Sequence, residues 1–280
     1  MIFHKIEEIK AQIEVWKKAG LSIGLVPTMG YLHQGHCSLI KKASMENDKV
    51  VVSIFVNPIQ FNVKDDLDTY PRDLERDREL VKEYGGHVIF NPSVEEMYPE
   101  NFSTYIDVEG LTEVLCGSAR PGHFRGVCTV VTKLFNIVSP QRAYFGEKDA
   151  QQLAVIERMI RDLNMDIEII PCPIVREKDG LAKSSRNVHL NEEERTAALV
   201  LNKSLKAAEE FILKGNRDSA TVIAYIRRIL ESEPLCKLDY VEIVDSVSLR
   251  PLEKIDRTVL LAMAAFFGKT RLIDNIKIRL

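Results

Sequence analysis

Short segments that are apolar at nearly every position punctuate the first two thirds of this chain, each followed by residues at helical spacing. They leave few folds open. Leu21 to Pro27 and Val50 to Val56 are the clearest. A strand with one wet face alternates apolar and polar residues, whereas a strand covered on both faces reads as a continuous apolar run, as in parallel sheets. His87 to Phe90, Arg142 to Phe145 and Asp166 to Ile170 read as three further strands. Ile6, Ile9, Ile13 and Trp16 fall at helical spacing, with Gly20 where a helix would be capped. Leu74, Leu80, Val81 and Tyr84 give Arg72 to Tyr84 an inner side, Gly126 to Val138 suggests a helix, and Leu153, Ile156, Ile160 and Leu163 mark another. Strand and helix alternate, which predicts a doubly wound, Rossmann-like α/β domain with a parallel sheet.

The pattern changes at Pro171-Cys172-Pro173. Proline stiffens the chain and interrupts strand pairing, so a boundary is expected here, with one domain over 1–174 and a smaller α+β domain, a lid, over 175–280. Asn191 followed by Glu192, Glu193 and Glu194 looks like a cap and an acidic first turn. It opens one helix with Leu201, Leu205, Ala208 and Ile212 on a face, then a second over Ala220 to Leu230. Lys237 to Val244, Thr258 to Phe267 and Arg271 to Ile278 are strand-like. No internal repeat or low-complexity tract is visible.

Composition narrows the class. The 280 residues are 45% hydrophobic and 28% charged, with a net charge of −3 and neither half strongly basic. That argues against a nucleic-acid surface but not against small anions, which need only a positive pocket. The longest apolar run, Val259 to Phe267, falls far short of the roughly 20 residues that span a bilayer, and the first residues carry no signal-peptide core. Cys37, Cys116, Cys128, Cys172 and Cys236 are odd in number, scattered and without a Cys-x-x-Cys pair. They read as reduced, mostly structural thiols of a cytoplasmic protein with no membrane partner.

Residues 25–36 carry the most chemistry: Leu-Val-Pro-Thr-Met-Gly-Tyr-Leu-His-Gln-Gly-His. Pro27 and Gly30 break the first strand, and Cys37, Leu39, Ile40 and Ala43 then look like a helix face, so His33 and His36 sit where a strand feeds a helix. Unpaired N–H groups at a helix start favour an anion, and imidazoles add donors for phosphate oxygens at neutral pH. A metal pair and a plain surface turn are the competing readings. Zinc needs three or four ligands, and no other Cys, His or carboxylate pair has a spacing that completes a site. Glycines on both sides of the loop let backbone approach a ligand closely, which favours phosphate.

Three later segments sit at comparable positions. Asn57-Pro58-Ile59-Gln60-Phe61 follows the second buried strand. Ligands of doubly wound sheets bind beyond the carboxyl ends of the strands, which puts Gln60 beside the His loop unless the segment is an ordinary polar turn. Gly146-Glu147-Lys148-Asp149 lies at the next strand-to-helix junction, with a compact cation in Lys148 and a cap, ribose or hydrated-magnesium ligand in Asp149. In Val175 to Asn187, Asp179-Gly180 is a turn signal, and Ser184, Ser185 and Arg186 supply donors suited to a polyphosphate.

Pro27-Thr28-Met29-Gly30 with His33-Gln34-Gly35-His36 resembles the signature of the pantothenate synthetase (pantoate–β-alanine ligase) family. More loosely it resembles the His-x-Gly-His of the wider nucleotidyltransferase superfamily, which includes class I aminoacyl-tRNA synthetases. Asn57 to Phe61, Gly146 to Gln152 and Asp179 to Asn187 are similar to the same family in order, as are Tyr70 to Asp73 and His123 to Gly126. The resemblance implies condensation of (R)-pantoate with β-alanine, driven by ATP through a pantoyl adenylate, to give pantothenate, AMP and pyrophosphate. It implies ATP contacts from Met29, Gly30, Tyr31, Leu32, His33, Gln34, Gly35 and His36. Further ATP contacts are implied for Gly146, Glu147, Lys148 and Asp149, and for Val175, Lys183, Ser184, Ser185 and Arg186. Pantoate and β-alanine fall to Gln60, Gln152 and Asn57, and His36, His33 and Lys148 are expected to be catalytic. Lys183 departs from relatives that often carry an apolar residue there. Magnesium is expected to accompany ATP rather than occupy a tight protein site, and a homodimer is expected. The competing readings are a transferase that stops at pyrophosphate release and a nucleotide-sensing module. Gln60 and Gln152 count against the first, His33, His36 and Lys148 against the second.

Overall fold

Six parallel strands, β1 (Ile2–Phe3), β2 (Ile23–Thr28), β3 (Lys49–Ile54), β4 (Val88–Phe90), β5 (Arg142–Gly146) and β6 (Glu168–Cys172), form one sheet in the order β1-β4-β3-β2-β5-β6. The computed structural model describes residues 1–62 and 67–280. The chain divides into two units. The first comprises Met1–Glu109, Arg120–Glu147 and Gln152–Pro173; the second comprises Gly110–Ala119, Lys148–Gln151 and Ile174–Leu280.

In the first unit, α2 (Gln34–Glu46) packs over β2, β3 and β5, burying Cys37, Leu39, Ile40 and Ala43. On α1 (Ile6–Lys18), Ile9, Ile13 and Trp16 are the buried residues, and α1 packs against the helix His123–Val138. Fully burying a side chain such as Ile40 contributes roughly 1.5–3 kcal/mol. The doubly wound expectation is met, with two differences. β1 was not expected, because two residues are too few to show a period; it pairs with β4 through Ile2 and Ile89. The helix ending at Val138 begins at His123 rather than Gly126.

Two expectations about proline are corrected. Pro27 does not break the first strand but lies within β2, opposite Ser53 of β3. Thr28 faces β3, since its carbonyl accepts from Phe55 N at 3.1 Å. Pro27 therefore faces the β5 side, where pairing has already ended at Leu25 and Ala143. Pro171 likewise does not interrupt pairing: it sits in β6 opposite Phe145. β6 is an edge strand, where a missing N–H removes no ladder bond.

The second unit carries an antiparallel sheet of β7 (Cys236–Asp245), β8 (Val259–Phe267) and β9 (Thr270–Ile278). Leu261, Met263, Ala265 and Phe267, alternate residues of β8, meet Leu201, Leu205, Ala208 and Ile212 of one helix and Val222, Ile226 and Leu230 of another. The helix expected to run on from Asn191 is broken at Ala198 into Glu192–Ala197 and Leu199–Leu213. No Gly or Pro marks that break.

Candidate active site

The sheet reverses direction of winding between β2 and β5. Ligands of such sheets lie outside the carboxyl ends of the strands at that reversal. Here the two strands pair only at Gly24–Arg142 and Leu25–Ala143, although β2 continues to Thr28 and β5 to Gly146. They diverge toward their carboxyl ends. The His loop follows the first of them.

That loop is held from beneath by Asp77, which the sequence did not single out. Its carboxylate accepts from Tyr31 N and Leu32 N, both at 2.7 Å, and is 1% exposed. Burial pushes its pKa above the ordinary value, against the pull of those amides and of Arg76. Tyr31 has φ +49. A non-glycine residue in this left-handed region costs on the order of 1–2 kcal/mol, which the two bonds to Asp77 offset.

His33 caps α2 and His36 stands at its third position. Gly35 N donates to His33 Nδ1 at 3.1 Å, and His33 N donates to His36 Nδ1 at 3.3 Å, a reciprocal cap built from two imidazoles. The ring centroids are 4.1 Å apart. A Cβ at Gly35 would lie 2.8 Å from the His33 ring, so any larger residue there would displace the imidazole. In a neutral imidazole whose Nδ1 accepts, the proton is on Nε2.

Beyond β3, Asn57 and Gln60 are 1% and 8% exposed. Asn57 donates through Nδ2 to Gln60 Oε1 at 2.9 Å, and Gln60 Nε2 lies 3.2 Å from Met29 Sδ. Met29 and Gln60, expected to serve different substrates, thus meet. Arg120 lies by His123 Nε2 at 3.4 Å, and Arg125 sits over the Tyr105 ring at 4.2 Å.

After β5, Glu147–Asp149 form a single 3-10 turn. Lys148 Nζ is 3.7 Å from Asp149 Oδ1. Gln151 is buried and tied to residues 110–119: it donates to Leu111 O and Val114 O and accepts from Cys116 N. Gln152, half-buried, is left outside that set.

In the second unit, Val175 to Lys183 forms a small hairpin. Glu177 N donates to Leu181 O and Lys183 N to Val175 O. Lys183 Nζ pairs with Glu177 at 2.8 Å, and Arg195 pairs with Asp179 at 2.8 Å. Ser184 accepts from Arg186 N at 3.3 Å at the start of the turn Ser185–His189. Arg176 makes a two-pronged ion pair with Asp274 of β9, 2.7 and 2.9 Å. The next residue, Asn275, donates to Lys148 O at 2.9 Å. Adjacent β9 residues therefore hold both Lys148 and the hairpin. Neither was singled out, since each stands in a strand and faces other protein groups.

The geometry can be set beside known proteins. A family model described as pantoate-beta-alanine ligase matches residues 1–277. A pantothenate synthetase of Enterococcus faecalis is 60% identical over 280 residues, covering 100% of this chain and 99% of its own. Among solved structures, pantothenate synthetase from Thermus thermophilus has a TM-score of 0.94 at 46% identity, over 100% of this chain and 99% of that one. Pantoate-beta-alanine ligase from Francisella tularensis, solved with beta-gamma ATP and beta-alanine, has a TM-score of 0.81 at 36% identity, over 99% and 97%.

Proposed function

The chain belongs to the pantoate–β-alanine ligase family, and from that premise we propose that it joins (R)-pantoate to β-alanine in two steps. A pantoate carboxylate oxygen attacks the α-phosphorus of ATP. The acyl–phosphate bond of pantoyl adenylate forms as the bond to pyrophosphate breaks. The uncharged amine of β-alanine then attacks the acyl carbon, the amide forms with loss of a proton, and AMP leaves.

The observation that carries this reading is the reciprocal imidazole cap, which fixes the orientation of two imidazole rings at a helix start. We assign His33 and His36 to the phosphate oxygens, where charge builds as pyrophosphate departs. Lys148, Ser184, Ser185 and Arg186, all on the second unit, are assigned to the polyphosphate, the last three in the segment expected to act as a lid. Lys183 is ion-paired to Glu177 and is assigned to the shape of its hairpin. Gln60 and Gln152 are assigned to pantoate. A neutral amide orients a carboxylate without a salt bridge and so leaves the attacking oxygen more nucleophilic. Asn57 acts through Gln60, to which it donates.

Magnesium would enter on the ATP phosphates and shield their charge. Its ligands would be mainly phosphate and water, since magnesium keeps several waters when it is bound with substrate phosphates. A cytoplasmic homodimer is the proposed setting. All five cysteines are free thiols, which suits a reducing compartment. Among the described residues no helix is long and apolar enough to cross a membrane.

Pyrophosphate release should require ATP, magnesium and pantoate together, and AMP release should further require β-alanine. Equal turnover with an unrelated carboxylic acid would overturn the pantoate assignment.

A further inference from the structure

The turn after β3 contains a chain of hydrogen bonds whose direction is set at one end. The backbone carbonyl of Gly126 can only accept, and Asn57 Nδ2 donates to it at 3.1 Å. That orients the whole Asn57 amide. Its Nδ2 also donates to Gln60 Oε1 at 2.9 Å, and its Oδ1 accepts from the Tyr98 hydroxyl at 2.8 Å. Because Gln60 receives a bond at Oε1, its Nε2 points away, toward Met29 Sδ at 3.2 Å. Sulfur is a weak acceptor, and Nε2 carries two hydrogens.

The remaining polar contacts hold the same pose. The backbone carbonyl of Gln60 accepts from His123 Nδ1 at 2.8 Å. The helix can lie this close because residue 126 is glycine: a Cβ there would come within 2.5 Å of Ile59 O. Tyr98 is the outer link. Its ring packs on Phe55 and Phe102, with centroids 6.1 and 5.0 Å away. Burial raises its phenol pKa well above the ordinary value, so its hydroxyl remains a donor at working pH.

We propose that Tyr98 is a positioning residue for pantoate. Through Asn57 it holds Gln60 with its amide N–H groups, rather than its carbonyl oxygen, toward the oxygens of the substrate. The inference rests on the assignment of Gln60 to pantoate. Without the Tyr98 hydroxyl, Asn57 keeps a buried oxygen with no donor and only the Gly126 carbonyl still orients its amide, so the Gln60 amide is held less firmly and turns over more often. Its oxygen would then face a carboxylate and repel it.

Tyr98→Phe keeps the packing ring and removes only the donor. The apparent KM for pantoate should rise about two- to tenfold, the range that loss of one hydrogen bond gives, with the KM for ATP and kcat at saturating pantoate unchanged. Introduced into a Gln60→Ala enzyme, the same change should add nothing to the KM for pantoate. An equal rise in both backgrounds, or no rise in the enzyme that retains Gln60, would overturn the proposal. If Gln60→Ala alone leaves the KM for pantoate at the wild-type value, the assignment of Gln60 itself fails, a result read without any Tyr98 variant. Should Tyr98→Phe not fold, the side-chain amide of Gln60 in ¹⁵N-glutamine-labelled wild-type enzyme gives a second measure. Its two N–H resonances should shift when pantoate binds, and their standing still would overturn the proposal.

Discussion

His33 and His36 orient each other: each Nδ1 takes a backbone N–H of the same turn, and the rings are tilted 34° to one another with centroids 4.1 Å apart. A helix cap is usually a short hydroxyl or carboxyl side chain; imidazole in that place brings a second ring nitrogen to the helix start. His36→Ala should therefore lower pantoyl adenylate formation by about 10²–10³, as loss of a transition-state donor does, while ATP binding changes far less. Single-turnover pyrophosphate release measures it, and a near-normal burst would reduce His36 to a structural residue. His33→Ala should be impaired less severely. At this scale the residues proposed to face a ligand could be named from the sequence, because His, Gln and Lys at strand ends have few other uses. Asp77 and Tyr98 were not, since their partners are protein groups far along the chain. Asp77 did leave a trace: it falls on the same helical stripe as Leu74 and Val81, an acid among apolar residues.

Among the elements, β9 does more than close a sheet. Asp274, 2% exposed, anchors the hairpin through Arg176, and Asn275 anchors Lys148. Arg176 also donates to Gly180 O at 3.1 Å, so one guanidinium ties the turn of the hairpin to the strand. Asp274→Asn breaks one side of a largely buried charge pair. Partial exposure of Arg176 moderates the loss, which should be about 1–3 kcal/mol in urea unfolding. The amides of Glu177 and Lys183 should exchange faster in the variant, and unchanged exchange would show that the hairpin holds its shape without β9. Strand positions and helix faces could be read from apolar periodicity to within a few residues. The fate of prolines could not, because whether Pro27 breaks a strand depends on whether a neighbour is still paired beside it.

For the whole molecule, the candidate segments of the first unit follow β2, β3 and β5, and β2 and β5 part at the reversal of the sheet. If Ser184, Ser185 and Arg186 close on the polyphosphate, backbone amides of residues 180–187 should gain hydrogen-exchange protection when a non-hydrolysable ATP analogue binds. Such closure would keep water from the acyl adenylate. No gain in protection, with binding confirmed, would remove this segment from the mechanism. The sequence by itself determined the class of fold and the order of its main elements, and it named the residues proposed for a nucleotide, because period, capping and residue chemistry are local properties. The order of strands, the assignment of residues 110–119 and 148–151 to the second unit, and the donors that hold the site were decided only by tertiary structure. Tyr31 is 46 residues from Asp77, Asn57 is 69 from Gly126 and Arg176 is 98 from Asp274. No local pattern records pairings at that range; they exist only once packing has brought the partners together.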